Sequence, residues 1–126
     1  MKDLPEKGKS ARQRGHEAEE TAAAYLEAKG WLILDRNYSF QKAEVDIVAT
    51  DRNYIIFIEV KMRSSIRYGN PEAAVTPAKE KQIRKAAEAW LYERKMETAV
   101  SRFDVISIVI PEGEAPLITH FEDAFR

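Results

Sequence analysis

The sequence predicts an α/β fold: a central mixed β-sheet of four to five strands flanked by helices on both faces. Three observations carry this. The periodic segments run helix, strand, strand pair, helix, strand, with a short strand-like segment at the end. The central strand pair carries large apolar side chains on both of its faces, which requires cover on each side. A helix then leads from that pair to another strand, the pattern of a crossover connection in a sheet.

Bulk properties bound the answer. With 126 residues the chain fits one domain with a real core. Residues 1 to 10 are expected to form a mobile tail and residues 11 to 126 the domain. Hydrophobic residues at 44%, charged residues at 33% and a net charge of -1 exclude a disordered or bilayer-embedded chain. Charge is unevenly spread: residues 61 to 95 hold nine Lys/Arg against four Glu, and the last sixteen residues hold four acids against one Arg. The absence of cysteine excludes disulfides and thiolate metal sites. The opening M-K-D-L-P-E-K-G-K-S has no apolar leader and no run approaches the ~18 residues of a membrane span, so a cytoplasmic protein without membrane contact is expected.

Taken in order, Ser10-Ala-Arg-Gln13 has the form of a capping box opening a helix, with Gly15 as an alternative start and Gly30 as its C-terminal glycine. Its apolar stripe is Ala18, Ala22, Tyr25 and Leu26, and Glu19 lies at the edge of that stripe. Trp31 to Tyr38 reads as a strand. A polar loop is expected from Ser64 to Thr76, where Thr76 caps a second helix with Pro77 at its first position. The stripe of this helix is Ile83, Ala86, Ala87, Trp90 and Leu91. Arg102 to Ile110 reads as a strand stopped by Pro111, and Leu117 to Phe121 as a short edge strand. Trp31 and Trp90 are expected as core anchors, and His16 and His120 in structural or exposed roles.

The chemistry concentrates in Ala43 to Arg63. Glu44 to Thr50 and Tyr54 to Lys61 are β-branched-rich runs around the polar cluster Asp51-Arg52-Asn53, hence a hairpin. A two-residue loop at Arg52-Asn53 would set Asp46 opposite Glu59. Alternation puts Glu44, Asp46, Val48 and Thr50 on one face with Ile55, Phe57, Glu59 and Lys61, and Val45 and Ile47 on the other. Two carboxylates at the rim of a core need a cation, supplied by the lysine or by a metal.

The spacing D-x12-E-V-K, from Asp46 to Lys61, resembles the PD-(D/E)XK nuclease superfamily. The chain is more closely similar to the YraN-type family of small bacterial proteins related to Holliday-junction resolvases. The residues that carry this are Gly15-x-x-Ala-Glu19-x-x-Ala22, Gly30-Trp31-x-Ile-Leu34, Asn37-Tyr38, Glu44-Val-Asp46-Ile-Val, Phe57-Ile-Glu59-Val-Lys61-x-Arg63, Ala74-Val75, Lys79 and Arg102-Phe-Asp104-Val. The resemblance implies a restriction-endonuclease-like fold and metal-dependent cleavage of DNA, branched or duplex. It further implies Mg²⁺ or Mn²⁺ on Asp46, Glu59, the Val60 carbonyl and Glu19, with Lys61 stabilising the phosphoryl group or positioning water. Arg63 and Lys79 would contact the nucleic-acid backbone, and a homodimer would cut two strands. Two positions depart from the family pattern: Ala18 and Ala43 stand where glycine is usual.

Other readings of the same residues compete. Asp46, Glu59 and Lys61 could form a cross-strand salt-bridge set worth about 0 to 1 kcal/mol if exposed. Lys79, Lys81, Arg84 and Lys85 could be no more than the wet face of a helix. A non-catalytic nucleic-acid-binding module on the same fold is the alternative function, and an adaptor domain a third.

Overall fold

The computed structural model describes residues 10–63, 75–111 and 113–126. The expected tail and most of the expected Ser64 to Thr76 loop lie outside these residues. The elements are α1 (Ala11–Ala28), β1 (Leu32–Phe40), β2 (Ala43–Thr50), β3 (Ile55–Arg63), α2 (Pro77–Glu93), β4 (Ser101–Val109) and β5 (Leu117–Phe125).

Helix α1 starts at the capping box. The Ser10 hydroxyl accepts from the Gln13 N–H at 3.1 Å, and the Gln13 side chain accepts from the Ser10 N–H at 2.8 Å, so two otherwise unpaired donors are satisfied reciprocally. The helix stops because Gly30 adopts a φ of +90°, in the left-handed region. A side chain there costs about 1–2 kcal/mol. Gly30→Ala is accordingly expected to lower unfolding free energy by about 1 kcal/mol in urea titration with an unchanged slope. Helix α2 opens on Thr76, whose hydroxyl accepts from the Lys79 N–H at 3.1 Å, with Pro77 where no donor is needed.

The five strands lie in sequence order, β1-β2-β3-β4-β5. All neighbours are antiparallel except β3 and β4, which are parallel because α2 carries the chain back across the sheet. One apolar layer packs α1 residues Ala18, Ala22 and Leu26 on Ile47, Ile56, Ile58, Ile106 and Ile108. The other packs Ile83, Ala86 and Trp90 of α2 on Val45, Val48, Phe57 and Val105. The β2–β3 hairpin is therefore covered on both sides, as its continuous apolar runs required.

Trp90 is a core anchor whose indole N–H donates to Asp35 Oδ2 at 3.1 Å, beneath the Arg94 guanidinium. Trp31 is half-buried, flanking the α1 layer. Neither Ala18 nor Ala43 has a positive φ, and both methyls are buried in the apolar layers, so alanine meets the backbone demands at these positions.

Two strands run past their expected ends. β1 continues to Phe40, since the chain turns at Gln41, with a φ of +56°, and Lys42. β5 reaches Phe125 instead of Phe121. Its ladder with β4 shifts between Phe103 and Val105, where the Asp104 carboxylate takes the Asp123 N–H at 2.9 Å. Glu122-Asp123 breaks apolar alternation, which hid this bulge from a periodicity argument.

Candidate functional site

The β2–β3 turn is built by side chains. Asp51 Oδ1 accepts from the N–H groups of Asn53 and Tyr54, both at 2.9 Å, and Arg52 takes a φ of +85°. The register is the expected one, with Ile47 facing Ile58 and Thr50 facing Ile55. One position further along, where Asp46 and Glu59 would pair, the regular ladder ends. Asp46 Oδ2 there accepts the Val60 N–H at 2.8 Å. A carboxylate has replaced a strand carbonyl as acceptor, and this keeps the acid at the edge of the core.

Strict alternation also fails here, correcting the sequence expectation. Val45 and Val48 both join the layer under α2, while Ile47 between them faces α1. The break falls at Asp46. On β1 the paired residues skip from Arg36, opposite Ile47, to Tyr38, opposite Val45, and the intervening Asn37 has a φ of +52°. A distortion shared by two strands thus sets the direction of Asp46, which period-two counting cannot foresee.

Glu59 is 6% exposed, and two ammonium groups converge on its Oε2: Lys61 at 3.2 Å and Lys79 at 3.6 Å. Lys79 thus projects from the first turn of α2 into the site, which differs from the outer position that the wet-face reading of its lysine cluster would give it. Asp46 is half-buried and its pKa is pushed up to about 7, first by burial and then by the Glu59 charge. The Val60 N–H opposes this rise, and Glu19 and Glu44 add smaller upward contributions. Glu19 is half-buried on α1 and acts on Asp46 through charge, whereas Glu44 is exposed. Arg63 closes β3 two residues beyond Lys61, half-buried.

The donor set fits a hard divalent cation in kind: two carboxylates at the core rim, one of them destabilised as an anion by the other. Among the described residues, however, no three His, Asp or Glu side chains are grouped closely enough to hold an ion. Glu19 does not complete a three-carboxylate cage in this arrangement.

A second polar cluster was missed. Asp104, at 0% exposure, accepts from Arg102 Nε and Nη2, both at 2.9 Å, from the Asp123 N–H at 2.9 Å, and pairs with His120 Nε2 at 2.7 Å. Burial raises the Asp104 pKa, but the bonds from His120, Arg102 and the Asp123 N–H outweigh it and hold the carboxyl below the usual range. His120 Nδ1 lies 3.2 Å from the Tyr25 hydroxyl, tying β5 to α1. His120 is thus held in the fold by Asp104 and Tyr25, the structural one of the two roles expected for it. The signal that could have found this cluster was Arg102-Phe-Asp104, two charges at period two inside an apolar strand.

A mixed sheet between two helices, with an acid-lysine group where its central hairpin splays, has the architecture of the restriction-endonuclease-like fold. The chain belongs to the uncharacterised protein family UPF0102, the YraN-type group, whose family model matches residues 18–108. It is 44% identical over 123 residues to a UPF0102 protein of Trichlorobacter lovleyi, covering 97% of each chain. It is 49% identical over 112 residues to one of Geobacter sulfurreducens, covering 89% of this chain and 88% of that one. A UPF0102 protein of Bifidobacterium longum subsp. infantis is 47% identical over 118 residues, covering 90% and 94%. No helix among the described residues is long and apolar enough to cross a membrane.

Proposed function

We propose that the protein is a metal-dependent endonuclease that hydrolyses phosphodiester bonds in DNA, branched DNA included. The observation that carries this is the convergence of Asp46, Glu59, Lys61 and Lys79 at the end of the β2–β3 ladder. A salt-bridge set on an exposed sheet face would not bury Glu59 to 6% exposure or raise a neighbouring acid to about 7. Such perturbed acids concentrate at functional sites.

Asp46, Glu59 and the Val60 carbonyl would hold Mg²⁺ or Mn²⁺, which supplies charge stabilisation to the phosphoryl oxygens and a water made more acidic. The remaining chemistry belongs to the chain. The Lys61 ammonium has three donors, of which one is committed to Glu59, leaving others for a phosphoryl oxygen or the attacking water. Lys79 brings a second positive charge to the same edge, which favours approach of a phosphodiester. The Val60 N–H holds Asp46 by Oδ2, and Oδ1 would be the oxygen offered to the ion.

The test is cleavage of duplex, forked and four-way-junction DNA with Mg²⁺ or Mn²⁺. Lys61→Ala and Glu59→Ala are each expected to lower the rate by on the order of 10²-fold or more. Undiminished cleavage by both variants would assign the activity to a contaminant and remove the site. Binding without cleavage in the unaltered protein, with affinity falling steeply as salt rises, would favour the non-catalytic module.

A further inference from the structure

Near the acid-lysine site, the turn between β1 and β2 and α2 line an open pocket of about 330 Å³. Its lining is Phe40, Gln41, Lys42, Ala43, Gln82 and Lys85: one aromatic ring, two carboxamides and two ammonium groups, with no carboxylate. Lys42 and Lys85 are exposed, and neither is within ion-pairing distance of a carboxylate among the described residues. Lys61 and Lys79, by contrast, are both engaged with Glu59.

The cavity adjoins the site through both of its walls. On α2, Lys79, Gln82 and Lys85 are spaced three residues apart, so Lys85 is about 9 Å along the axis and about 120° round the helix from the lysine that touches Glu59, with Gln82 between them. On β2, Ala43 precedes Asp46 by three residues, about 10 Å of strand. Gln41 holds a φ of +56°, a conformation that costs a non-glycine residue of order 1 kcal/mol and that aims the turn at α2. Beyond Lys85 the groove continues past Tyr92, but Glu88 and Glu93 line it there and the charge reverses.

From this the geometry points to a pocket for one unpaired nucleotide of the substrate, next to the cleaved phosphodiester. The inference rests on the nuclease reading and deepens it by naming the substrate class: DNA with a single-stranded segment at the cut. Phe40 offers a ring for base stacking, Gln41 and Gln82 offer donors and acceptors to a base edge, and Lys42 and Lys85 meet the flanking phosphates. The volume, near the lower end of the roughly 300–1,000 Å³ typical of small-ligand pockets, suits a single nucleotide. The carboxylates beyond it oppose phosphates further along.

The experiment is fluorescence anisotropy of the full chain in chelator, so that binding is read without turnover. Three probes are used: a labelled oligothymidylate, the same backbone with abasic sites, and a blunt duplex of equal length. The unaltered protein is expected to bind oligothymidylate about tenfold more tightly than the abasic strand, the scale of one stacked base. Lys42→Ala combined with Lys85→Ala is expected to weaken oligothymidylate binding about tenfold and duplex binding much less. Both lysines are exposed, so the double variant should fold, and circular dichroism checks this. Equal affinity for thymidylate and abasic strands, or unchanged thymidylate affinity in the double variant, would overturn the pocket. Cleavage of DNA by the unaltered protein together with either result would leave the nuclease reading standing without it. Base-dependent binding through these residues with no cleavage of any DNA would leave the pocket standing without the nuclease.

Discussion

Asp46→Asn is expected to abolish the cleavage proposed for this site and at the same time stabilise the metal-free protein at pH 8. In the folded chain burial and the Glu59 charge raise this carboxyl from an ordinary 3.8 to about 7. The folded state therefore binds more protons than the unfolded state between about pH 4 and pH 7. The contribution of the protonated carboxyl is fully present below about pH 4 and is lost as pH rises through about 7. At 1.36 kcal/mol per pKa unit the cost of ionisation in place is on the order of 4 kcal/mol, an upper bound for a half-buried group. Asparagine keeps an acceptor for the Val60 N–H and carries no charge, so the gain should be about 1–3 kcal/mol above pH 7 and small at pH 4. Thermal melts of both proteins from pH 4 to 8 in chelator read this directly. A variant less stable than its parent at pH 8, or a difference that ignores pH, would show that Asp46 is comfortably ionised in its site. Stability sacrificed to hold a functional acid is common in active sites.

The opposite sign is expected at Asp104. This carboxylate is fully buried and bonded to Arg102, His120 and the Asp123 N–H, so Asp104→Ala strands a guanidinium of which only 12% is exposed. Removing one partner of a buried ion pair costs about 3–5 kcal/mol, a large share of the roughly 5–15 kcal/mol that holds a domain together. Because the Asp104 pKa is held below its ordinary 3.8, its stabilisation is present above that value and is lost as pH falls through the lowered one. Acid should therefore weaken the native protein by a route that Asp104→Ala has already lost. Urea titrations at pH 7 and pH 3 test both statements: the variant's midpoint should be far lower at pH 7, and the gap should narrow at pH 3. A loss under about 1 kcal/mol at pH 7 would mean that Arg102 finds Asp51 or Glu122 as a substitute, both within 4 Å.

Much of the architecture was legible because it rests on local rules. Capping at Ser10 and Thr76, the left-handed stop at Gly30 and the stripes of both helices depend on residues within a turn or two of one another. The register of the β2–β3 hairpin followed from the polar cluster at Asp51-Arg52-Asn53, and Asp46 and Glu59 fall just beyond its last pair, close enough for the Glu59 charge to act on Asp46. The candidate acids and Lys61 could be named for the same reason.

What escaped depends on meetings between distant segments. The face to which Asp46 turns is set jointly with Asn37 on another strand. The length of β5 depends on a carboxylate from β4 taking an N–H across the sheet. Lys79 lies 20 residues beyond Glu59 in sequence and reaches it because α2 folds back over the hairpin. Periodicity and turn chemistry are short-range, and they were enough for the order of elements and the identity of the acids. The direction of Asp46, its raised pKa and the second lysine on Glu59 arise from burial and charge contributed by other elements, so they came into being only when the sheet and its two helices were assembled.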